Sequence, residues 1–243
     1  MKSYEQKAYV EMLHWQQRML KRSSMVERMS KSTQTKVNQL IPARIHNVVT
    51  ESIKKMVQSI LLGSDITTKY MTHSSWTFEK KEQYIRERLN SYKKTAALEG
   101  AGTGVGGLLL GMADFPLLLT IKVKFLFDTA AAYGFDVSDY EERLFILHVF
   151  QLAFSSEEHR KKTMQTIMNW EEEKEALKEL DWRTFQQEYR DYIDLAKLFQ
   201  LLPGIGAAVG AVANYRLLEH LGEVAMNAYR IRLLESEMHA EQK

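Results

Sequence analysis

The chain has 243 residues, of which 45% are hydrophobic and 26% charged, with 33 Lys and Arg against 31 Asp and Glu. This is the composition of a folded protein, long enough to bury a substantial core as one large or two small domains. Having no cysteine excludes disulfides, thiolate nucleophiles and thiolate metal sites, and fits a reducing compartment.

The net charge of +2 conceals an asymmetry. Residues 1–98 carry 18 Lys and Arg against 8 Asp and Glu, whereas residues 99–243 carry 15 against 23. Charges that pair between the two halves would explain this, and so would a basic half that faces anionic lipid headgroups. Nucleic acid is not an expected partner, because no compact basic cluster with interleaved aromatics occurs. Met1-Lys2-Ser3-Tyr4-Glu5 leads into a charged helix without an apolar signal segment, so the N-terminus is expected to stay in the cytosol.

In chain order, the first predicted helix runs from about Tyr4 to Met29. Ala8, Met12, Trp15, Met19 and Val26 share one side at helical spacing, interrupted by Arg22. Such a stripe packs on partner helices, and with Lys21 and Arg22 beside it would also suit a membrane interface. Pro42 is placed to open a second helix with Ile45, Val48, Val49, Ile53, Met56, Ile60 and Leu61 inward, stopped by Gly63. Phe78 to Glu99 is a charged helix with Tyr84, Ile85, Leu89 and Tyr92 inward.

It delivers the chain to GAGTGVGGLLLGMADFPLLLTI, residues 100–121, which holds one ionisable side chain, Asp114. Gly102/Gly106 and Gly107/Gly111 have the small-xxx-small spacing that lets helix backbones approach closely. The length is about what a bilayer span requires. Asp114-Phe115-Pro116 predicts a break that makes a helical hairpin or a kinked helix, with Asp114 capping a helix that restarts near Pro116 and ends at Gly134. Asp136 or Ser138 should cap the next helix, and Ser138-xx-Glu141 matches a capping box. Ser155-xx-Glu158 matches a second, opening an acidic helix that includes Glu171 to Glu173 as a solvated surface.

A helix after Asp181, with Phe185, Tyr189, Tyr192 and Phe199, leads into a second uncharged stretch, residues 198–215, which contains Gly206-xxx-Gly210 and then Asn214. The last helix continues to about Glu237. No stretch has strand periodicity between turn signals. The fold class is therefore all-α: a helical bundle in which two glycine-rich apolar hairpin segments pack together, with an N-terminal amphipathic arm over residues 1–40 and a helical domain over 41–243.

Few constellations point to chemistry. Gly102-Thr103-Gly104-Val105-Gly106-Gly107 spells a dinucleotide fingerprint, but no strand precedes it and no acidic-tipped strand follows. No Gly-Lys-Ser/Thr follows for a P-loop, and no GxSxG elbow exists. The seven histidines form no HExxH, and His148, on an apolar helix, is expected to be a hydrogen-bonded core residue. No cofactor or metal is expected. Asp114 and Asn214 read as caps where helices restart, or as a functional pair in a glycine-lined setting that handles protons or binds a cation or substrate.

Four groups of residues together resemble the EcsC family of bacterial proteins, in the form found in Gram-positive bacteria. They are Gly111-Met-Ala-Asp114-Phe-Pro116, Ala130-Ala-Ala-Tyr133-Gly134-Phe135-Asp136, Glu142-Arg143, and Pro203-Gly-Ile-Gly206-Ala-Ala-Val-Gly210-Ala-Val-Ala-Asn214. The resemblance runs from about residue 40 to the C-terminus and marks Asp136 and Arg143 beside Asp114 and Asn214. It implies no catalytic residue and no cofactor, and it implies association with an ABC transporter of the Ecs type. The expected function is that of a non-enzymatic, membrane-associated accessory on the cytoplasmic side of the cell membrane, with transporter subunits and the membrane surface or bilayer as partners. The alternatives are a soluble cytoplasmic bundle of interaction type, and a hydrolase using Asp114.

Overall fold

The computed structural model describes residues 2–21, 43–63, 75–104, 107–155, 157–179 and 207–235. Side chains are described throughout these except at 43–46, 99–104, 107–114, 157–158, 179, 207–211 and 213. Eight α-helices account for nearly all of the described residues. They are α1 (Ser3–Leu20), α2 (Ala43–Leu62), α3 (Phe78–Gly104), α4 (Gly107–Tyr133), α5 (Tyr140–Phe154), α6 (Glu157–Met168), α7 (Trp170–Glu179) and α8 (Ala207–Arg230), the last followed by a π turn over Ile231–Glu235. The expected all-α class holds.

α3 is the centre of the bundle, packed along α8 on one side and α4 on the other. It runs antiparallel to both. Lys81 near its start donates to the Tyr133 carbonyl at the end of α4 (2.8 Å), while Arg88 pairs with Asp128 (2.7 Å). Against α8, Lys93 pairs with Glu219 (3.1 Å), and a Cβ added at Gly222 would lie 2.4 Å from Leu89 Cδ2. α2 covers α4, and α1 lies across α3, α6 and α8, adding Met12 and Trp15 to the common core. α5 is buried along nearly its whole length.

Two helix stops form as expected, because only glycine adopts left-handed backbone without strain. Gly63 has φ +68° and Gly134 φ +106°, the latter donating to the Ala130 carbonyl while Phe135 donates to the same oxygen.

Other boundaries differ from expectation. The break predicted at Asp114-Phe115-Pro116 does not occur: α4 runs unbroken from Gly107 to Tyr133 with Pro116 inside it, so Asp114 caps no restarting helix. An internal proline costs roughly 3 kcal/mol. Phe115, Leu118 and Leu119 around it are all buried, each contributing about 1.5–3 kcal/mol, and that outweighs the loss. α3 ends at Gly104 and α4 begins at Gly107, so the boundary between the two helices lies before Asp114 and not at it.

The first helix ends at Leu20 instead of Met29. Lys21 is extended, and its carbonyl accepts from Arg160 of α6 (3.2 Å), which ties the chain down there. The Ser138 capping box does not form, and the second expected box rests on the side chain of Glu158, which lies outside the described residues. α5 starts after Asp139, which makes no side-chain cap, and Glu141 is drawn across to Lys174 and Lys178 of α7 (2.8 and 2.9 Å). Ser155 is buried at the end of α5, where its hydroxyl donates to the Leu152 carbonyl (3.3 Å). The single acidic helix is two, divided at Asn169, whose carbonyl accepts from the amides of Glu172 and Glu173 (3.1 and 3.0 Å). Glu171, Glu172 and Glu173 are exposed, as expected. The helix expected after Asp181 and the stretch through Pro203 and Gly206 lie outside the described residues.

Candidate functional site

The described side chains converge most densely on Glu82, a fully buried carboxylate of α3. Arg230, at the end of α8, grips it bidentately, with Nε to Oε1 at 2.6 Å and a terminal nitrogen to Oε2 at 2.7 Å. Tyr4 of α1 donates its hydroxyl to Oε2 (2.7 Å), Tyr133 of α4 donates to Oε1 (3.1 Å), and Arg86 adds a further bond to Oε2 (3.1 Å). Four helices thus meet on one carboxylate. Burial pushes its pKa up, but the hydrogen bonds and charge of Arg230, helped by Tyr4 and Arg86, more than reverse this and hold Glu82 ionised. With both oxygens taken up by donors, Glu82 is suited to fixing helices and not to accepting a proton.

A second centre adjoins it. Tyr133 stacks on Tyr229 at 5.3 Å, and the Tyr229 hydroxyl donates to Glu142 of α5. Arg232, in the π turn, reaches the other oxygen of Glu142 (2.7 Å) and lies over the rings of Phe135 and Phe145 at 4.1 and 4.3 Å. Burial dominates here and leaves the Glu142 carboxyl raised, in spite of Arg232 and Tyr229.

Between α1, α3 and α8 a cleft of about 320 Å³ opens over the first centre, lined by Glu11, His14, Arg18, Arg86, Glu223 and Arg230 among others. Arg18 and Glu223 pair across its mouth (2.7 Å), and Arg230 also donates to Glu11 (3.2 Å). Its charges are therefore largely paired among themselves. Among the described residues no group of His, Asp and Glu has the geometry to hold a metal ion.

Of the expected polar residues, Asp136 and Arg143 both bond to Ser138, whereas Asn214 is on α8 and bonds to α4. Asn214 is buried within α8, not at a helix start, so it is not the cap of a restarting helix. Its Oδ1 accepts from Lys122 of α4 (3.4 Å), a fully buried lysine that also reaches the Leu118 carbonyl (3.4 Å). Burial lowers the Lys122 pKa to about 7. Asp114 lies in α4, two turns before Lys122, and its side chain is outside the described residues. Asp136 is exposed and accepts from the amide and hydroxyl of Ser138 (2.8 and 2.7 Å), a local turn instead of a cap on α5. Arg143 donates to the Ser138 carbonyl and lies against Gly63, where a Cβ would come within 3.3 Å of it. Gly102 falls in α3, Gly107 and Gly111 in α4, and Gly210 in α8; Gly106 and Gly206 lie outside the described residues. His148 is buried, bonded to the Leu144 carbonyl (2.8 Å), and burial lowers its pKa to about 4, as a core histidine requires.

The centre of this network was not anticipated, although Glu82 shares the helical spacing of Ile85 and Leu89. A carboxylate on an apolar stripe is the signal that could have found it.

Residues 6–234 match the EcsC protein family. The chain belongs to the EcsC family. The match begins within α1, so the family region includes the first helix and extends beyond the residues that carried the resemblance. This EcsC-family chain is 55% identical to Protein EcsC of Bacillus subtilis (strain 168) over 225 residues, 93% of this chain and 94% of that protein. It is 33% identical to Uncharacterized protein YdbA of the same strain over 153 residues, 61% of this chain and 56% of that protein. No solved structure matches it.

Proposed function

We propose that this EcsC-family protein is a non-enzymatic accessory that docks on the cytoplasmic surface of the cell membrane, beside an ABC transporter or another membrane complex. The observation that carries the reading is the clustering of exposed apolar side chains at one end of the bundle. Leu98 (74% exposed), Leu117 (44%), Val212 (52%) and Tyr215 (39%) lie on three different helices. The contacts of Lys93 with Glu219 and Tyr215, and of Lys122 with Asn214, bring those three helix ends together. It is the end at which α3, α4 and α8 carry their glycine-rich segments. Lys94 and Arg216 are exposed there as well. An apolar patch rimmed by cations suits an anionic lipid surface, where each cation contributes on the order of 1 kcal/mol.

Docking at the surface fits better than spanning, because no described helix is long and apolar enough to cross a membrane. The arrangement of Glu82 and Glu142 supports a non-enzymatic role, since each carboxylate is held by arginine and tyrosine. Flotation of the full chain with phosphatidylglycerol vesicles tests the reading. The protein should rise with the vesicles at low salt and be partly released at high salt; recovery entirely in the unbound fraction at low salt would overturn it. Co-purification with a transporter subunit tests the accessory role, and isolation free of any membrane partner in mild detergent would count against it.

A further inference from the structure

A groove of about 600 Å³ runs between α2 and α4, within the ~300–1,000 Å³ of pockets that enclose a small ligand. Its floor is made by Met56, Ile60, Pro116, Leu119 and Val123. Ile60, Leu119 and Val123 are almost wholly buried, so the floor is the protein core. Hydroxyl groups also line it, yet two of them are turned away. Ser52 donates to the Val48 carbonyl (2.7 Å) and Thr120 to the Pro116 carbonyl (2.9 Å), each back onto its own helix, so that at these two positions the walls present carbon. Water gains little over such a floor, and an apolar chain fits it.

The rim is different. Glu51 and Lys55 are one turn apart on α2, line the groove, are exposed, and make no ion pair among the described residues. Together they offer one anion and one cation to a head that carries both. The groove also borders the apolar end of the bundle: Pro116 lines it, and the next residue, Leu117, is one of the four exposed side chains there.

We propose that this groove holds one acyl chain of a membrane phospholipid with a phosphoethanolamine head, the phosphate on Lys55 and the ammonium on Glu51. The proposal rests on the membrane-docking reading and names the lipid that the docked protein takes.

Native mass spectrometry and calorimetry on the full chain test it, using 1-myristoyl-lysophosphatidylethanolamine below its micelle concentration. One lipid should bind per chain. Thr120→Trp and Ser59→Trp, one on each wall, should each weaken binding at least tenfold without changing helical content or Tm. Glu51→Gln should weaken the lysolipid severalfold and leave myristic acid unaffected. An absence of monomer binding overturns the proposal, as does wild-type affinity in both tryptophan variants. Vesicle flotation separates the two readings. Flotation without lysolipid binding removes the groove and leaves membrane docking intact, and lysolipid binding without flotation does the reverse.

Discussion

Gly222 of α8 lies against Leu89 of α3 so closely that an added Cβ would sit 2.4 Å from Leu89 Cδ2 and 2.8 Å from Cδ1. This contact sets the approach of the two helices that pack most extensively. Alanine at a helix position normally gains about 1 kcal/mol over glycine. Overpacking costs about 1–3 kcal/mol, so Gly222→Ala should be neutral to destabilising by about 2 kcal/mol in urea unfolding, and Gly222→Val more so. Combined with Leu89→Ala, the Gly222→Ala effect should become stabilising, a coupling that a double-mutant cycle reads directly. Additivity of the two changes would show that the contact does not limit the approach.

The Glu82–Arg230 pair makes a second prediction. Removing one member strands a buried charge, so Glu82→Leu or Arg230→Met alone should cost about 3–5 kcal/mol. Replacing both should recover much of that loss. Glu82 is held below its ordinary pKa, so its contribution is fully present above the unfolded carboxylate pKa and is lost as pH falls through the folded value. Acid unfolding of wild type should therefore be steeper in that range than that of the double variant.

How much of this was legible in the sequence depended on whether the cause was local. Gly63 and Gly134 stop helices through their own backbone freedom, and both stops were readable. The inward faces of α2 and α3 followed from helical spacing. The Asp114-Phe115-Pro116 break did not form, because burial of Phe115, Leu118 and Leu119 is a tertiary effect that overrides a local penalty. The Ser138 box failed for the same kind of reason, since Glu141 found partners on α7. Arg230 and Glu82 are 148 positions apart, and no spacing rule pairs them. The polarity of each was nonetheless a clue, as was Lys122 set within LLLTIKVKFLF.

Lys122 should make stability depend on pH in the alkaline direction. Its pKa is about 7 in the fold against 10.5 for an ordinary lysine, so between these values the unfolded chain binds more protons than the native one. Stability then rises with pH across that window. Relative to Lys122→Met, wild type should gain up to a few kcal/mol between pH 7 and 9.5, read from urea midpoints. Lys122→Met itself should be the more stable at pH 7. Parallel pH profiles for the two proteins would mean that the ammonium is solvated in the native state.

The central claim is that the end carrying Leu98, Leu117, Val212 and Tyr215 meets the membrane. Because the chain has no cysteine, a single introduced one can be labelled uniquely. An environment-sensitive fluorophore on Val212→Cys should shift to the blue when phosphatidylglycerol vesicles are added, and shift back in high salt. The same probe on Leu62→Cys, exposed near the opposite end of the bundle, should not respond. A silent Val212 probe, or a response at Leu62 alone, would contradict the account.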